Sequence, residues 1–245
     1  MNFHPWQWAV MLTTTFVAAL LQGTIGFGYA VLSVPVLSLI DPRLAPVPQI
    51  LTALPMTLFA AGREWAHLDV KGATWILVGR LPGAAIGAAL LAVATQRALD
   101  LLIGAIVLGA VLILATPLKL RRSPSMDFGV GAFATTTGYV SAIGGPPLAL
   151  LLRDEHGPRL RSTLGLVFAV GIVVTLAVRT ATQQITWLDV ALGAALTPVA
   201  LFGMLASRWL HDRVEGNALR HGVLVTSAFA ALGLIGRALF APITP

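Results

Sequence analysis

The sequence predicts an all-α polytopic membrane protein made of two inverted structural repeats, each a Gly/Pro-broken helical pair followed by three transmembrane helices. Three observations carry that prediction. Hydrophobic residues make up 57% of the 245 and charged residues only 11%, against roughly 25% charged in an ordinary soluble domain. Charge-free stretches alternate with short basic connections. Two Gly/Pro-rich breaks fall at corresponding places in two halves of the chain.

The first observation excludes two classes. With a mean hydropathy of +0.85, too few polar side chains exist to coat a water-facing surface, and disordered chains are poor in apolar residues. The net charge of +6, from 16 Lys and Arg against 10 Asp and Glu, would suggest nucleic acid in a soluble protein. Here the basic residues sit on connections between apolar runs, where they report membrane orientation, and nucleic acid is not an expected partner. The absence of Cys excludes disulfides, zinc-thiolate sites and iron–sulfur clusters; no cofactor and no metal are expected. Met1 to Trp8 contains no Lys or Arg and no small-residue cleavage site follows, so the first helix is expected to stay in the mature protein.

The elements follow from the charge-free runs, which cover 1–40, 44–62, 81–96, 101–118, 128–152, 162–178, 190–207 and 221–236. A helix needs roughly 20 residues to cross the hydrocarbon core. The run 1–40 is too long for one helix and is interrupted at Gln22-Gly23-Thr24-Ile25-Gly26-Phe27-Gly28; it splits into pieces near 7–22 and 28–40. The run 128–152 is interrupted at Gly144-Gly145-Pro146-Pro147 and splits near 128–142 and 147–153. The third run is extended back to Val70, which places Arg80 inside a span. Ten helical pieces result, and the four at the breaks are expected to be short. Tryptophans 6, 8, 65, 75, 187 and 209 fall mostly near span ends, as interfacial anchors do.

Alternating the connections between two sides puts 11 basic residues on one side and 4 on the other, with Arg80 left in the membrane. The basic-rich side is therefore expected in the cytoplasm and both termini outside it, in the cell inner membrane. Gly28 and Gly145 differ by 117 positions, Leu68-Asp69-Val70 and Leu188-Asp189-Val190 by 120, and Pro82 with Gly87 and Pro198 with Gly203 by 116. These offsets divide the chain into a first membrane repeat at 1–118, a cytoplasmic linker at 119–126 and a second membrane repeat at 127–245. Whether each broken pair crosses twice or folds back, an odd number of crossings per half makes the halves inverted.

The stretch Gly26-Phe27-Gly28-Tyr29-Ala30-Val31-Leu32-Ser33-Val34-Pro35, together with Gly138 and Gly144-Gly145-Pro146-Pro147, resembles the TauE/SafE family of sulfite and organosulfonate exporters. The similarity spans about residues 10 to 237. It implies a transporter of small sulfur-containing or carboxylate anions, and the export direction comes from it alone. The family's first motif is often three consecutive glycines, which this chain lacks; the departure bears on the substrate rather than the fold.

The residues themselves point to an anion. Non-helical backbone inside a bilayer is tolerated where protein, water or a ligand satisfies its polar groups. Helix N-termini at the breaks present unpaired N–H groups and a positive dipole end. If the halves are inverted, the two breaks converge near the midplane, where repeat-built transporters hold substrate. The candidate substrate-binding residues are Gln22, Gly23, Thr24, Gly26, Phe27, Gly28, Tyr29 and Ser33 in the first half. In the second they are Tyr139, Ser141, Gly144, Gly145 and Pro146, with Thr137 nearby. The alternative is that the glycines serve close helix packing. Arg80 lies ~15 Å from Val70 along a helix, and an intramembrane guanidinium is a natural partner for an oxyanion. The alternative is a helix that starts later, or breaks at Pro82, and lets Arg80 snorkel to the interface.

A membrane transporter is thus the leading expectation, with an anion channel and an intramembrane enzyme as alternatives. No Asp or Glu lies well inside a span, which leaves a carboxylate proton relay unsupported. None of His67, His156, His211 and His221 falls in a span beside Ser33 or Ser141, so the triad-like chemistry of a hydrolase has no basis and the chain is read as not an enzyme. The expected partners are a small anion and the lipid bilayer, with a homodimer left open.

Overall fold

The computed structural model describes residues 3–116, 120–210 and 216–240, the side chains of 209, 210 and 216–223 excepted. Ten α-helices occur among these residues. The first half contains α1 (Pro5–Ile25), α2 (Tyr29–Ile40), α3 (Val47–Arg63), α4 (Val70–Val93) and α5 (Gln96–Ala115). The second contains α6 (Pro124–Ser141), α7 (Gly145–Leu151), α8 (Gly157–Ala181), α9 (Trp187–Leu210) and α10 (Gly216–Phe240). Six of the stretches are long and apolar enough to cross a membrane, and the chain is a multi-pass membrane protein. Lys119 and Arg213 of the charge count, together with His211, lie outside the described residues, as do the side chains of Trp209, Arg220 and His221.

Both breaks fall where the sequence places them, but only two of the four adjoining pieces are short. The helix α1 has 21 residues and α6 has 18, while α2 has 12 and α7 has 7. The asymmetry has a local cause. α1 runs on through Gly23 and stops only at Gly26, which takes the left-handed backbone (φ 96°) that glycine adopts without a Cβ penalty. Gly28 (φ 113°) then redirects the chain into α2. At the second break the left-handed residue is Ala142 (φ 62°), an unusual conformation for a residue with a Cβ.

Each broken pair begins and ends at the same end of the bundle. Arg43, just after α2, lies over the ring of Phe3, just before α1. Leu120, before α6, packs in one cluster with Leu151 and Leu152 at the end of α7. Each pair therefore returns to the end it started from, and α1 itself is long and apolar enough to cross a membrane. The ends are further marked by ion pairs. Asp41 with Arg43 and Asp100 with Arg237 lie at one end; we call it the Arg43 end. Glu64 with Arg63 and Arg161, Asp69 with Arg159, and Asp127 with Arg122 lie at the other, the Arg161 end.

The principal helix pairings are kept when the halves are exchanged. α1 packs on α9 as α6 packs on α4; α3 packs on α9 as α8 packs on α4; α2 packs on α10 as α7 packs on α5. The buried clusters obey the same exchange. Ala18, Leu21, Leu32, Met56 and Met204 join α1, α2, α3 and α9, whereas Val130, Leu148, Leu164 and Ile76 join α6, α7, α8 and α4. The α4–α6 contact is backbone-close. A Cβ on Gly79 would stand 2.1 Å from the Phe128 carbonyl oxygen, and one on Gly131 would stand 2.2 Å from that of Ile76. Such small-residue contacts are how helices associate in lipid, where apolar burial supplies no drive. One recurrence does not carry over: Asp69 caps α4, accepting from the Gly72 N–H at 2.8 Å, whereas Asp189 sits inside the first turn of α9 and accepts from Thr186.

Candidate functional site

The two breaks meet. Gly145 at the start of α7 lies against Phe27 of the first break, with only ordinary contact distance left for a Cβ at 3.4 Å. Between them opens a cavity of about 70 Å³, room for one small oxyanion or a few waters. Gln22, Phe27, Gly28 and Tyr29 line it from the first break, and Gly144 and Gly145 from the second. Arg80 of α4 lines it too.

Arg80 decides what the cavity can do. The helix α4 starts at Val70, as Asp69 caps it there, and continues through Pro82 to Val93. Arg80 is consequently held in mid-helix and is only 4% exposed, which removes the interfacial alternative. Its Nη1 donates to Thr135 Oγ1 at 3.0 Å, while Nε and Nη2 have no protein partner. No carboxylate pairs with it among the described residues. Room for the guanidinium comes from Gly171 of α8, where a Cβ would stand 1.8 Å from Nη1. An ionised group buried in this way is costly unless paired.

The first break is held open by Gln22. Its backbone oxygen accepts from Gly26 N at 2.7 Å and its side-chain Oε1 accepts from Tyr29 N at 3.2 Å. One residue thus spans the gap and caps α2. The next two amides, of Ala30 and Val31, have no helical acceptor, as expected of a helix start, and both residues line the cavity. The Tyr29 hydroxyl donates to Gln49 Oε1 at 2.7 Å, and Gln49 Nε2 donates to the Leu44 oxygen, so that ring is anchored away from the opening.

The remaining candidates lie elsewhere. Gly23 is a packing residue against Ser207 of α9, and the Thr24 hydroxyl donates to the Leu21 oxygen. Gly26 turns the chain beside Arg161 and Leu164. Ser33 is buried, with a hydroxyl that has no partner, outside the cavity wall. Tyr139 donates to Gln184 Oε1 at 3.0 Å. The Ser141 hydroxyl donates to the Thr137 oxygen and accepts from Ile143 N. Pro146 and Thr137 line a separate apolar groove along α5. Conversely, Thr57 of α3, Thr135 of α6, and Gly171 and Thr175 of α8 line the cavity although nothing in their sequence surroundings distinguishes them from other small residues of apolar helices.

Below the first break, at the Arg161 end, Glu64 accepts from Arg161 at 2.6 Å and from Arg63 at 3.0 Å. Burial pushes the Glu64 carboxyl up, but the two arginines outweigh it and hold the group below the usual carboxylate range.

The family described as sulfite exporter TauE/SafE matches residues 11–234. No curated protein and no solved structure matches the chain.

Proposed function

The chain belongs to the sulfite exporter TauE/SafE family, a family of transporters, and from that premise we propose that it exports a small oxyanion held at Arg80 between the two breaks. The class proposed is sulfite, an organosulfonate or a related carboxylate. A single observation carries the reading: a guanidinium that is 4% exposed, without a carboxylate among the described residues, opens on a cavity between two interrupted helices. Leaving such a charge unpaired costs several kcal/mol, and an anion in the cavity offsets that cost. The planar fork of Arg matches the oxygens of a sulfonate or carboxylate. The amides of Ala30 and Val31 add donors at the positive end of α2. Phe27, Phe168 and Ile50 supply apolar wall for an organic substituent.

The proposed mechanism is alternating access around this site. The exchange symmetry of the helix pairing supports two inverted copies at 1–118 and 127–245, each with an odd number of crossings. Rocking of one against the other would open the cavity first to the Arg161 end and then to the Arg43 end. The ends are proposed as cytoplasm and exterior of the inner membrane, respectively, which puts both termini outside. One chain lines the whole cavity, so a homodimer is no part of the mechanism.

The experiment is a binding titration of Arg80 variants in lipid nanodiscs against sulfite, sulfonates, sulfate and carboxylates. Loss of a charge-assisted hydrogen bond costs roughly 1.5–3 kcal/mol, which is about 10- to 150-fold in affinity. Arg80→Ala is expected to show that loss, and Arg80→Lys to recover part of it. An Ala variant that is folded and binds as the wild type does would refute the site. Saturable flux with counterflow separates the proposed carrier from a channel.

A further inference from the structure

A second arginine is buried in the bundle. Arg179, in the last turn of α8, is 2% exposed. It lines a different cavity, of about 80 Å³, at the Arg43 end. Its Nη2 donates to the Tyr139 backbone oxygen and its guanidinium lies 4.5 Å from the centre of the Tyr139 ring. Its Nε has no partner. No carboxylate forms a salt bridge with it among the described residues. Asp100, in the same cavity, is engaged by Arg237 through both oxygens, at 2.9 and 3.0 Å, and by Gln96. Asp189 is half-buried and accepts from the Thr186 N–H and hydroxyl. Arg179 therefore enters the cavity wall without a salt bridge of its own among the described residues. Ser38 faces the same space, with a hydroxyl that has no partner in the protein.

The two cavities are in register. Arg80 reaches the side chain of Thr135 and Arg179 the carbonyl of Tyr139, four residues further along α6. Thr175 lines the first cavity and Arg179 the second, four residues further along α8. On α6 the offset is four residues, a rise of ~6 Å. On α8 the Arg80 guanidinium lies against Gly171, eight residues or ~12 Å before Arg179, so the second guanidinium stands one to two turns beyond the first, toward the Arg43 end.

We propose that the Arg179 cavity is a second binding site for the same class of small oxyanion, occupied as the anion moves from Arg80 toward the Arg43 end. The identity of the anion rests on the function proposed above; the buried guanidinium and the unpartnered Ser38 hydroxyl beside the cavity do not. Anions pass readily through a bundle when each site binds firmly enough to admit them and a neighbouring site lets them leave. A lone Arg80 lacks that neighbour, and Arg179 supplies it with Ser38 as a hydroxyl donor.

The test is the number of radiolabelled sulfite ions bound per chain at saturation, by equilibrium dialysis of the full-length protein in nanodiscs. Two per wild-type chain are expected, and one each for Arg80→Gln and Arg179→Gln. Ser38→Ala guards against an Arg179 variant that fails to fold, because the Ser38 hydroxyl holds nothing in the protein. It is expected to weaken one of the two sites about ten-fold and leave the other intact. One sulfite per wild-type chain, bound equally well by Ser38→Ala and Arg179→Gln, would mean that Arg179 only caps α6, and the proposal would fall. If Arg80→Gln keeps both ions while Arg179→Gln loses one, the function proposed at Arg80 fails and the Arg179 site stands. A wild-type chain that binds no sulfite overturns both.

Discussion

Gly171 offers a way to disturb the anion site without touching any group that contacts an anion. A Cβ at this position would stand 1.8 Å from Arg80 Nη1 and 2.6 Å from Cζ, so the guanidinium has to move. It is the end of a flexible side chain beside a cavity of about 70 Å³, so it swings into the space rather than displacing α8. Two effects on stability then oppose each other. The hydrogen bond to Thr135 is lost, roughly 1.5–3 kcal/mol for a charged donor. The change from Gly to Ala within a helix returns about 1 kcal/mol. Gly171→Ala is therefore expected to unfold only slightly below the wild type, by about 0.5–2 kcal/mol. Binding is hit harder, because the displaced guanidinium takes up the anion's space as well as leaving its position. Sulfite affinity measured in nanodiscs should fall by at least about ten-fold. Gly109→Ala is the control, since a Cβ there meets nothing within 4 Å, and it should bind normally. Wild-type affinity in Gly171→Ala would refute the claim that the Arg80 position sets binding.

Gly145→Ala adds a methyl at ordinary contact distance from Phe27 and Phe168; thermal unfolding should barely change while sulfite affinity drops, and a loss confined to stability would assign the glycine to packing. Gly28→Ala differs, because φ 113° and a Leu21 methyl at 2.8 Å strain any side chain; here the unfolding temperature itself should fall. The Asp69 carboxyl is held below the usual carboxylate range by the Gly72 N–H and by Arg159. Its contribution to stability is present above the unfolded-state value of about 4 and is lost as pH falls through the lower folded value. Asp69→Asn should therefore flatten the acid limb of the unfolding-temperature profile, and an unchanged limb would refute the assignment. Reporters within 153–161 should be cytoplasmic and one at the C-terminus outside; a cytoplasmic C-terminus would remove the inverted-repeat proposal.

What was legible in the sequence was whatever interrupts apolar monotony. Charges marked the connections, Gly and Pro marked both breaks, and the depth of Arg80 followed from counting residues. What was not legible was the rotational phase of each helix. In a soluble protein the apolar stripe tells which face is buried; in a bilayer lipid accepts apolar side chains as readily as the core does, and that signal is erased. Hence Gly23 and Gly28, five residues apart, could not be told apart, though one packs on Ser207 and the other edges the cavity. Gly171 and Thr135 were invisible for the same reason. The length of α1 was underestimated because Gly23 reads as a breaker, whereas its missing side chain is filled by α9 and the helix continues.

The pairing of α4 with α6 and of α1 with α9 also bears on how the chain is made. As residues 1–118 emerge from the ribosome, the backbone-close surface around Gly79 and Gly83 has no counterpart, because Phe128 and Ala132 have yet to be synthesised. The same holds for α1 until Gly203 and Ser207 arrive. Nascent first halves must wait in the bilayer half-assembled, exposed to quality-control proteases, and a chain stopped after residue 118 should be degraded rather than accumulate. Co-expressed with 119–245 as a separate polypeptide, the same fragment should persist, since the partner helices would then come from the second chain.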